Sequence, residues 1–252
     1  MSTLGVIPAR WGSTRFPGKS LTPLLGHPLI AWVARAAGEA RSLDRLVLAT
    51  DDARIAAAVE GLEIDVVMTR ADHASGTDRV AEAAAPGDHD IVVNLQGDEP
   101  LVPAEVIDAL VETLQREPAV EMATVICPLE DPAELASPSV VKVVADAQDR
   151  ALYFSRLPIP CRRDGPAELA GGDYWRHIGL YAYRGNFLKR LVREPPCRLE
   201  KLEALEQLRA LHLGGTIRLV RARFAGVGVD TPADVPVVEA LLRERFPCPH
   251  KR

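Results

Sequence analysis

Residues 8–20 read Pro-Ala-Arg-Trp-Gly-Ser-Thr-Arg-Phe-Pro-Gly-Lys-Ser, which gathers Arg10, Arg15 and Lys19 with Gly12, Gly18 and the hydroxyls of Ser13 and Thr14. Glycines let backbone N–H groups approach phosphate oxygens, and the three cations neutralise them. The spacing is not that of a Walker A loop. That motif would need glycine at position 13 ahead of Gly18-Lys19-Ser20, but position 13 is Ser, and Gly12 comes one residue early. A solvated Arg/Gly turn is the competing reading. Asp98 follows a glycine at the end of an apolar run, and Asp230 follows the Gly-rich strand end Val227-Gly228-Val229. Two hard oxygen ligands from separate strand ends suit Mg²⁺ shared with substrate phosphates. Asp51, Asp88 and Asp90 are rival carboxylates. Residues 69–77 carry Arg70, Asp72, His73, Ser75, Gly76 and Thr77. They read as a helix start capped by Ser75 or Thr77, which is compatible with lining a pocket.

The elements that must position these residues are legible in the hydrophobic pattern. Strands are expected at Leu4–Pro8, Arg45–Ala49, Asp65–Met68, Ile91–Leu95 and Met122–Cys127. Helices are expected between them at Leu29–Ala40, Ala53–Glu60, Thr77–Ala84 and Pro103–Arg116. Continuous apolar strands alternating with helices imply a mostly parallel sheet covered on both faces. In such a sheet, ligands bind beyond the carboxyl ends of the strands, where residues 8–20 and Asp98 fall.

The pattern then changes. Val140–Ala145 and Ala151–Ser155 flank Asp146-Ala147-Gln148-Asp149, a predicted antiparallel hairpin. Residues 157–173 read as a surface loop, and no site is assigned to 161–175. A strand at His177–Tyr183, helices at Gly185–Val192 and Leu199–Leu211, a strand at Thr216–Val220 and a helix at Pro232–Phe246 follow. The fold class implied is an α/β nucleotide-binding core with a smaller inserted β-rich element.

Composition narrows the function classes. The 252 residues carry a net charge of −5, which disfavours a broad nucleic-acid surface. Residues 1–126 hold 10 cationic and 19 acidic residues, whereas residues 127–252 hold 20 and 16. The only lysine of the first half is Lys19. Six of the twelve aromatic residues lie within 153–183. The longest stretch free of Asp, Glu, Lys and Arg is Ser20–Ala34, too short and too interrupted by Pro and Gly for a membrane span. The N-terminus lacks the pattern of a secretory signal. The four cysteines have neither zinc nor disulfide-framework spacing, so a cytoplasmic location is expected.

Taken together, these segments resemble the 3-deoxy-D-manno-octulosonate (Kdo) cytidylyltransferase family. The loop matches P-A-R-x-x-S-T-R-x-P-G-K, and Met68–Arg79 matches M-T-R-x-D-H-x-S-G-T-x-R. Val93–Pro100 matches V-N-x-Q-G-D-E-P, and Arg176–Tyr183 matches R-H-x-G-x-Y-x-Y. Val141-Lys142-Val143-Val144, Ala151–Arg156, Leu205–Arg209 and Gly228–Pro232 complete the order, from about residue 4 to 246.

The resemblance implies a Rossmann-like nucleotidyltransferase core that joins CTP to Kdo, giving CMP-Kdo and diphosphate for lipopolysaccharide biosynthesis. It implies one nucleotidyltransferase domain over 1–252. Residues 1–128 would be mainly the CTP-binding half, and residues 129–246 the sugar-binding and dimerisation half of a homodimer. It assigns Arg10, Ser13, Arg15 and Lys19 to the triphosphate, with Arg15, Lys19 and Asp98 as the catalytic set. Arg70, Ser75 and Gln96 fall on the base side, and Asp98 and Asp230 on Mg²⁺. Gln96, Arg156, His177, Tyr181, Glu206 and Gln207 fall at the sugar. Adjacent Glu206 and Gln207 point about 100° apart on a helix, so both reach one pocket only if it wraps the helix end. Tyr183 shares a strand face with Tyr181 and is a core candidate. An enzyme for 8-amino-Kdo or a sialic-acid-like sugar is the nearest alternative, and the R-H-x-G-x-Y run favours Kdo over sialic acid. A P-loop NTPase or a nucleotide-sensing binding protein is the alternative of a different class.

Overall fold

The structure is a computed structural model that describes residues 1–12, 16–164, 169, 172–224 and 226–246. Ser13 and Arg15, both assigned to the triphosphate, lie outside the described residues. The chain forms two compact units, one of Met1–Asp108 with Ala225–Arg252 and one of Ala109–Phe224. Strand β7, at Met122–Pro128, pairs with strands of the second unit.

The first unit begins with β1 (Thr3–Ala9), a 3-10 turn at Lys19–Leu21, the short pair β2 (Pro23–Leu24) and β3 (His27–Pro28), and α1 (Leu29–Gly38). β4 (Arg45–Thr50), α2 (Ala53–Ala57), β5 (Asp65–Met68), α3 (Gly76–Ala84) and β6 (Ile91–Asn94) follow. β1 lies between β6 and β4, and β4 pairs with β5, all parallel. Leu4, Val6, Ile7, Val47, Leu48, Ile91, Val92 and Val93 are buried, as parallel strands covered on both faces require. α1 buries Leu29, Ile30, Trp32 and Val33, and the Trp32 indole donates to Leu24 O at 2.7 Å. The last part of the chain returns to this unit as a 3-10 turn at Pro232–Asp234 and the final helix Val235–Arg245.

Helix α4 (Ala104–Arg116) leads into the second unit. There β7 is followed by α5 (Pro132–Ala136), β8 (Lys142–Ala145), β9 (Ala151–Ser155) and β10 (Trp175–Arg184). α6 (Gly185–Leu191), α7 (Arg198–Glu203), α8 (Gln207–His212) and β11 (Ile217–Arg221) complete it; the final helix of the chain is thus α9. β10 is antiparallel to β7 and β8, β8 and β9 form the predicted hairpin, and β11 runs parallel to β7. A parallel α/β unit interrupted by a β-rich insertion is the fold class read from the sequence.

One predicted helix is broken. Leu199–Leu211 is two helices, because Ala204 takes a left-handed backbone with φ 51°. The apolar period that suggested continuity is not all buried. Leu205 and Leu208 are in the core, whereas Leu199 and Leu202 are exposed. No described helix is long and apolar enough to cross a membrane.

Candidate active site

In the first unit, the carboxyl ends of β1 and β6 bring sequence-distant residues together. Gly18, with φ 71°, starts the 3-10 turn that carries Lys19. A Cβ there would sit 3.2 Å from the Trp11 ring, which itself is stacked by the Arg54 guanidinium at 3.4 Å. After β6 the chain passes so close to β1 that a Cβ on Gly97 would lie 2.7 Å from Pro8 O. Val229 N–H then donates to Asp98 O at 2.9 Å, and a Cβ on Gly228 would crowd the same carbonyl at 3.1 Å. These close approaches place Asp98 and Asp230 side by side.

Lys19 Nζ reaches both of them, 2.5 Å from Asp98 Oδ2 and 3.2 Å from Asp230 Oδ1. The Lys19 side chain is 15% exposed and that of Asp230 59%, so the cluster opens to solvent on the Asp230 side. Asp234, which sequence reading passed over, fixes the Asp230 backbone. Its carboxylate accepts from the N–H groups of Asp230 and Thr231 at 2.9 and 2.7 Å. Burial works against its charge, but these hydrogen bonds and Lys19 hold its pKa below the usual carboxylate range. The T-x-x-D spacing of Thr231 and Asp234 is a capping-box signal that could have revealed it.

Two carboxylates converging on one positive point fit a divalent cation as well as they fit the ammonium. Among the described residues no third His, Cys, Asp or Glu joins them. That donor set suits a hard ion that takes its remaining ligands from phosphate and water. Of the rival carboxylates, Asp51 is spoken for. It accepts from the buried Arg79 guanidinium at 3.1 Å, and Arg79 also donates to Thr69. Asp90 accepts from Ser2 N–H at 2.7 Å.

Other first-unit candidates are more scattered. Arg10 is exposed at the end of β1, and Gln96 is half-buried after β6. Ser75, rather than Thr77, caps α3: its hydroxyl accepts from Asp78 N–H at 3.2 Å and donates to Asp78 Oδ2 at 3.0 Å. Arg70 is largely exposed, 3.7 Å from Glu82. Glu82 also bonds His73, and although burial opposes it, that bond keeps the Glu82 pKa low.

The second unit holds the residues assigned to the sugar other than Gln96. β10 bulges between Ile178 and Tyr181, which leaves carbonyls to be satisfied. Thr124 Oγ1 lies 2.8 Å from Leu180 O, 3.2 Å from Ile178 O and 2.9 Å from His177 Nε2. The single hydroxyl proton goes to a carbonyl, so Thr124 accepts from His177 Nε2–H, and Nδ1 carries the lone pair. Burial lowers the His177 pKa to about 3, so the ring is neutral near pH 7. It is a hydrogen-bonding group, not a cation for a carboxylate. Tyr181 stacks at 5.5 Å from the His177 ring and donates to Gln207 Oε1 at 3.4 Å. Tyr183 is buried beside Tyr181, in the core.

Glu206 and Gln207 stand at the N-terminal end of α8, so a pocket that wraps a helix end reaches both. Glu206 Oε2 and Gln207 Nε2 are buried and have no hydrogen-bond partner among the described residues. Such atoms cost about 1–3 kcal/mol each unless a ligand or water meets them. Arg156 is a clamp as well as a candidate. Its guanidinium donates to Glu203 O, Pro138 O and Ala204 O, which leaves two N–H groups for a ligand.

Residues 4–217 match the cytidylyltransferase family. A 3-deoxy-manno-octulosonate cytidylyltransferase from Syntrophobacter fumaroxidans is 52% identical over 97% of this chain and 98% of its own length. One of the same name from Bdellovibrio bacteriovorus is 48% identical over 96% and 98%. The solved structure of a CMP:2-keto-3-deoxy-manno-octonic acid synthetase complexed with CTP superposes with a TM-score of 0.91 at 40% identity, covering 97% of this chain and all of that one. A cytidylyltransferase from Leptospira borgpetersenii, 16% identical with a TM-score of 0.65, shares the fold. The match over most of the chain and the relatives near 50% identity establish that this chain belongs to the cytidylyltransferase family.

Proposed function

We propose that the chain transfers the cytidylyl group of CTP to 3-deoxy-manno-octulosonate, forming CMP-Kdo and diphosphate. The observation that carries this reading is the convergence of Lys19 on Asp98 and Asp230 in a chain whose relatives near 50% identity bear that name. The anomeric hydroxyl of the sugar attacks the α-phosphorus and loses its proton to water, the P–O bond to the β-phosphate breaks, and diphosphate leaves with the electron pair. The protein needs to position and neutralise rather than to form a covalent bond.

In this reading the first unit holds the nucleotide and the second unit the sugar. Arg10 and Lys19 meet the triphosphate, and Lys19 faces the charge that builds on the departing diphosphate. Asp98 and Asp230 aim that ammonium, and they are the residues that would hold Mg²⁺. A bound Mg²⁺ supplies further neutralisation of phosphate charge. On the sugar side, Glu206 Oε2 accepts from a hydroxyl, Gln207 Nε2 donates to one, and His177 Nδ1 accepts. The Tyr181 hydroxyl, whose proton goes to Gln207, offers a lone pair as an acceptor, and Arg156 supplies further donors. The full proposal is a Mg²⁺-dependent homodimer in the cytoplasm, serving lipopolysaccharide biosynthesis.

The test is diphosphate release from the purified chain with Mg²⁺, across CTP, UTP and ATP and across Kdo, 8-amino-Kdo and sialic acid. The reading expects the highest kcat/KM for CTP with Kdo. No diphosphate release with that pair overturns it, and a preference for the amino sugar reassigns the substrate. Sedimentation at micromolar concentration checks the dimer.

A further inference from the structure

The break between α7 and α8 is held from outside the two helices. Ala204 has a left-handed backbone that L-residues avoid, and it persists only because its surroundings over-determine it. Those surroundings are the end of β9. Arg156 Nε donates to Glu203 O at 2.6 Å and Nη2 to Ala204 O at 3.2 Å, while Nη1 holds Pro138 O at 2.9 Å. The Glu203 carboxylate answers from the other side. It accepts from the Ser155 hydroxyl at 2.9 Å and from the Arg156 backbone N–H at 3.0 Å. Burial and the Glu203 charge raise the Tyr153 phenol pKa, so that hydroxyl stays a donor to the same carboxylate. Beneath them Lys142, fully buried, donates to Ser137 O, Val140 O and Arg156 O, which fixes the Arg156 backbone.

Holding the helices themselves together is the task of another pair. Arg209 donates to both oxygens of Glu200, at 2.9 and 2.7 Å, and to Leu191 O and Glu194 O. Glu203 takes no part in that network. Among the described residues its carboxylate hydrogen-bonds to Ser155 and to the Arg156 N–H at the end of β9. Two and three residues beyond the turn stand Glu206 Oε2 and Gln207 Nε2, buried without a hydrogen-bond partner among the described residues.

We propose that Glu203 is a positioning residue for the sugar acid: its carboxylate, bonded to Ser155 and Arg156, sets the left-handed turn at Ala204 that aims Glu206 and Gln207 at the sugar hydroxyls. It touches no reacting atom. The proposal rests on the assignment of Glu206 and Gln207 to the sugar.

The test uses the full chain with Glu203→Gln and Glu203→Ala, measuring kcat, KM for CTP, KM for Kdo and the melting temperature. Loss of hydrogen bonds to a charged group predicts a rise in the Kdo KM of about tenfold for Glu203→Ala. Glu203→Gln keeps one accepting oxygen and should be partly rescued, at about threefold. kcat at saturating sugar and KM for CTP stay within about twofold. A merely structural role would lower the melting temperature and the active fraction, so that kcat falls while both KM values hold; that result overturns the proposal. If Glu203→Ala fails to fold, the KM split in Glu203→Gln decides alone. Glu206→Gln and Gln207→Leu separate the two layers. If neither changes the Kdo KM, the sugar assignment itself fails. If they raise it while the Glu203 variants do not, the positioning role fails.

Discussion

The Lys19 ammonium lies 2.5 Å from Asp98 Oδ2, although the two residues are 79 positions apart and belong to different strand ends. In the proposed function that pair, extended to Asp230 at 3.2 Å, is where the charge of the triphosphate would be neutralised. Lys19→Ala is expected to lower kcat/KM for CTP by about 100-fold, the equivalent of about 3 kcal/mol of transition-state stabilisation. Steady-state kinetics check it, and a loss below threefold would assign Lys19 a structural role only. Lys19→Arg is expected to rescue little, because a planar fork does not replace a point charge between two carboxylates.

Asp98→Asn keeps the side-chain shape and removes the charge. Turnover is expected to collapse while CTP still binds by calorimetry. Chelation of divalent cations should silence the wild type and be reversed by added Mg²⁺. Equal turnover by variant and wild type would detach Asp98 from the chemistry.

Gly97→Ala tests the close approach that sets Asp98. The added Cβ would be 2.7 Å from Pro8 O, a backbone atom that cannot swing aside. A loss of about 2 kcal/mol in unfolding free energy is expected, with a larger relative loss of kcat, since the neighbouring carboxylate moves. Urea denaturation and kinetics on the same sample measure both. Unchanged stability would show that the β1–β6 contact yields easily.

The pH dependence of stability follows from His177. Its folded pKa, about 3, lies below the unfolded value near 6.5. The unfolded state therefore binds more protons between those values, and the stability is present above pH 6.5 and lost as pH falls toward 3. At pH 5 the loss is about 2 kcal/mol relative to pH 7 from this residue. Melting temperatures of the wild type and His177→Gln across pH 5–7 should converge as pH falls. A constant gap would place the titration elsewhere.

The Glu200–Arg209 pair is buried on both sides, with side-chain exposures of 9% and 8%. Arg209→Met strands the Glu200 carboxylate and is expected to cost about 3–5 kcal/mol. Adding Glu200→Leu should recover part of that, because no unpaired charge remains. Urea unfolding of both variants tests the difference, and an additive double variant would mean that the two side chains do not interact.

The sequence by itself determined the alternation of elements and the family pattern of residues 8–20. Apolar runs such as Ile91–Asn94 can be buried in only one way, and local propensity speaks for each of them separately. The P-A-R, H-x-S-G-T, Q-G-D-E-P and R-H-x-G-x-Y segments carry a family pattern that survives without coordinates. Only tertiary structure decided which of these segments meet. Asp230 lies in the last tenth of the chain, yet the chain returns to the first unit and sets it beside Lys19 and Asp98. Nothing local encodes that return. The Leu199–Leu211 run has a helical period throughout, but contacts from β9, distant in sequence, override propensity at Ala204. The same holds for His177. Its residue type suggests a cation or a general base, and burial against Thr124 and Phe154 makes it a neutral ring that donates through Nε2–H to Thr124 instead. Charge state depends on the surrounding dielectric and hydrogen bonds, and those exist only once distant segments have packed.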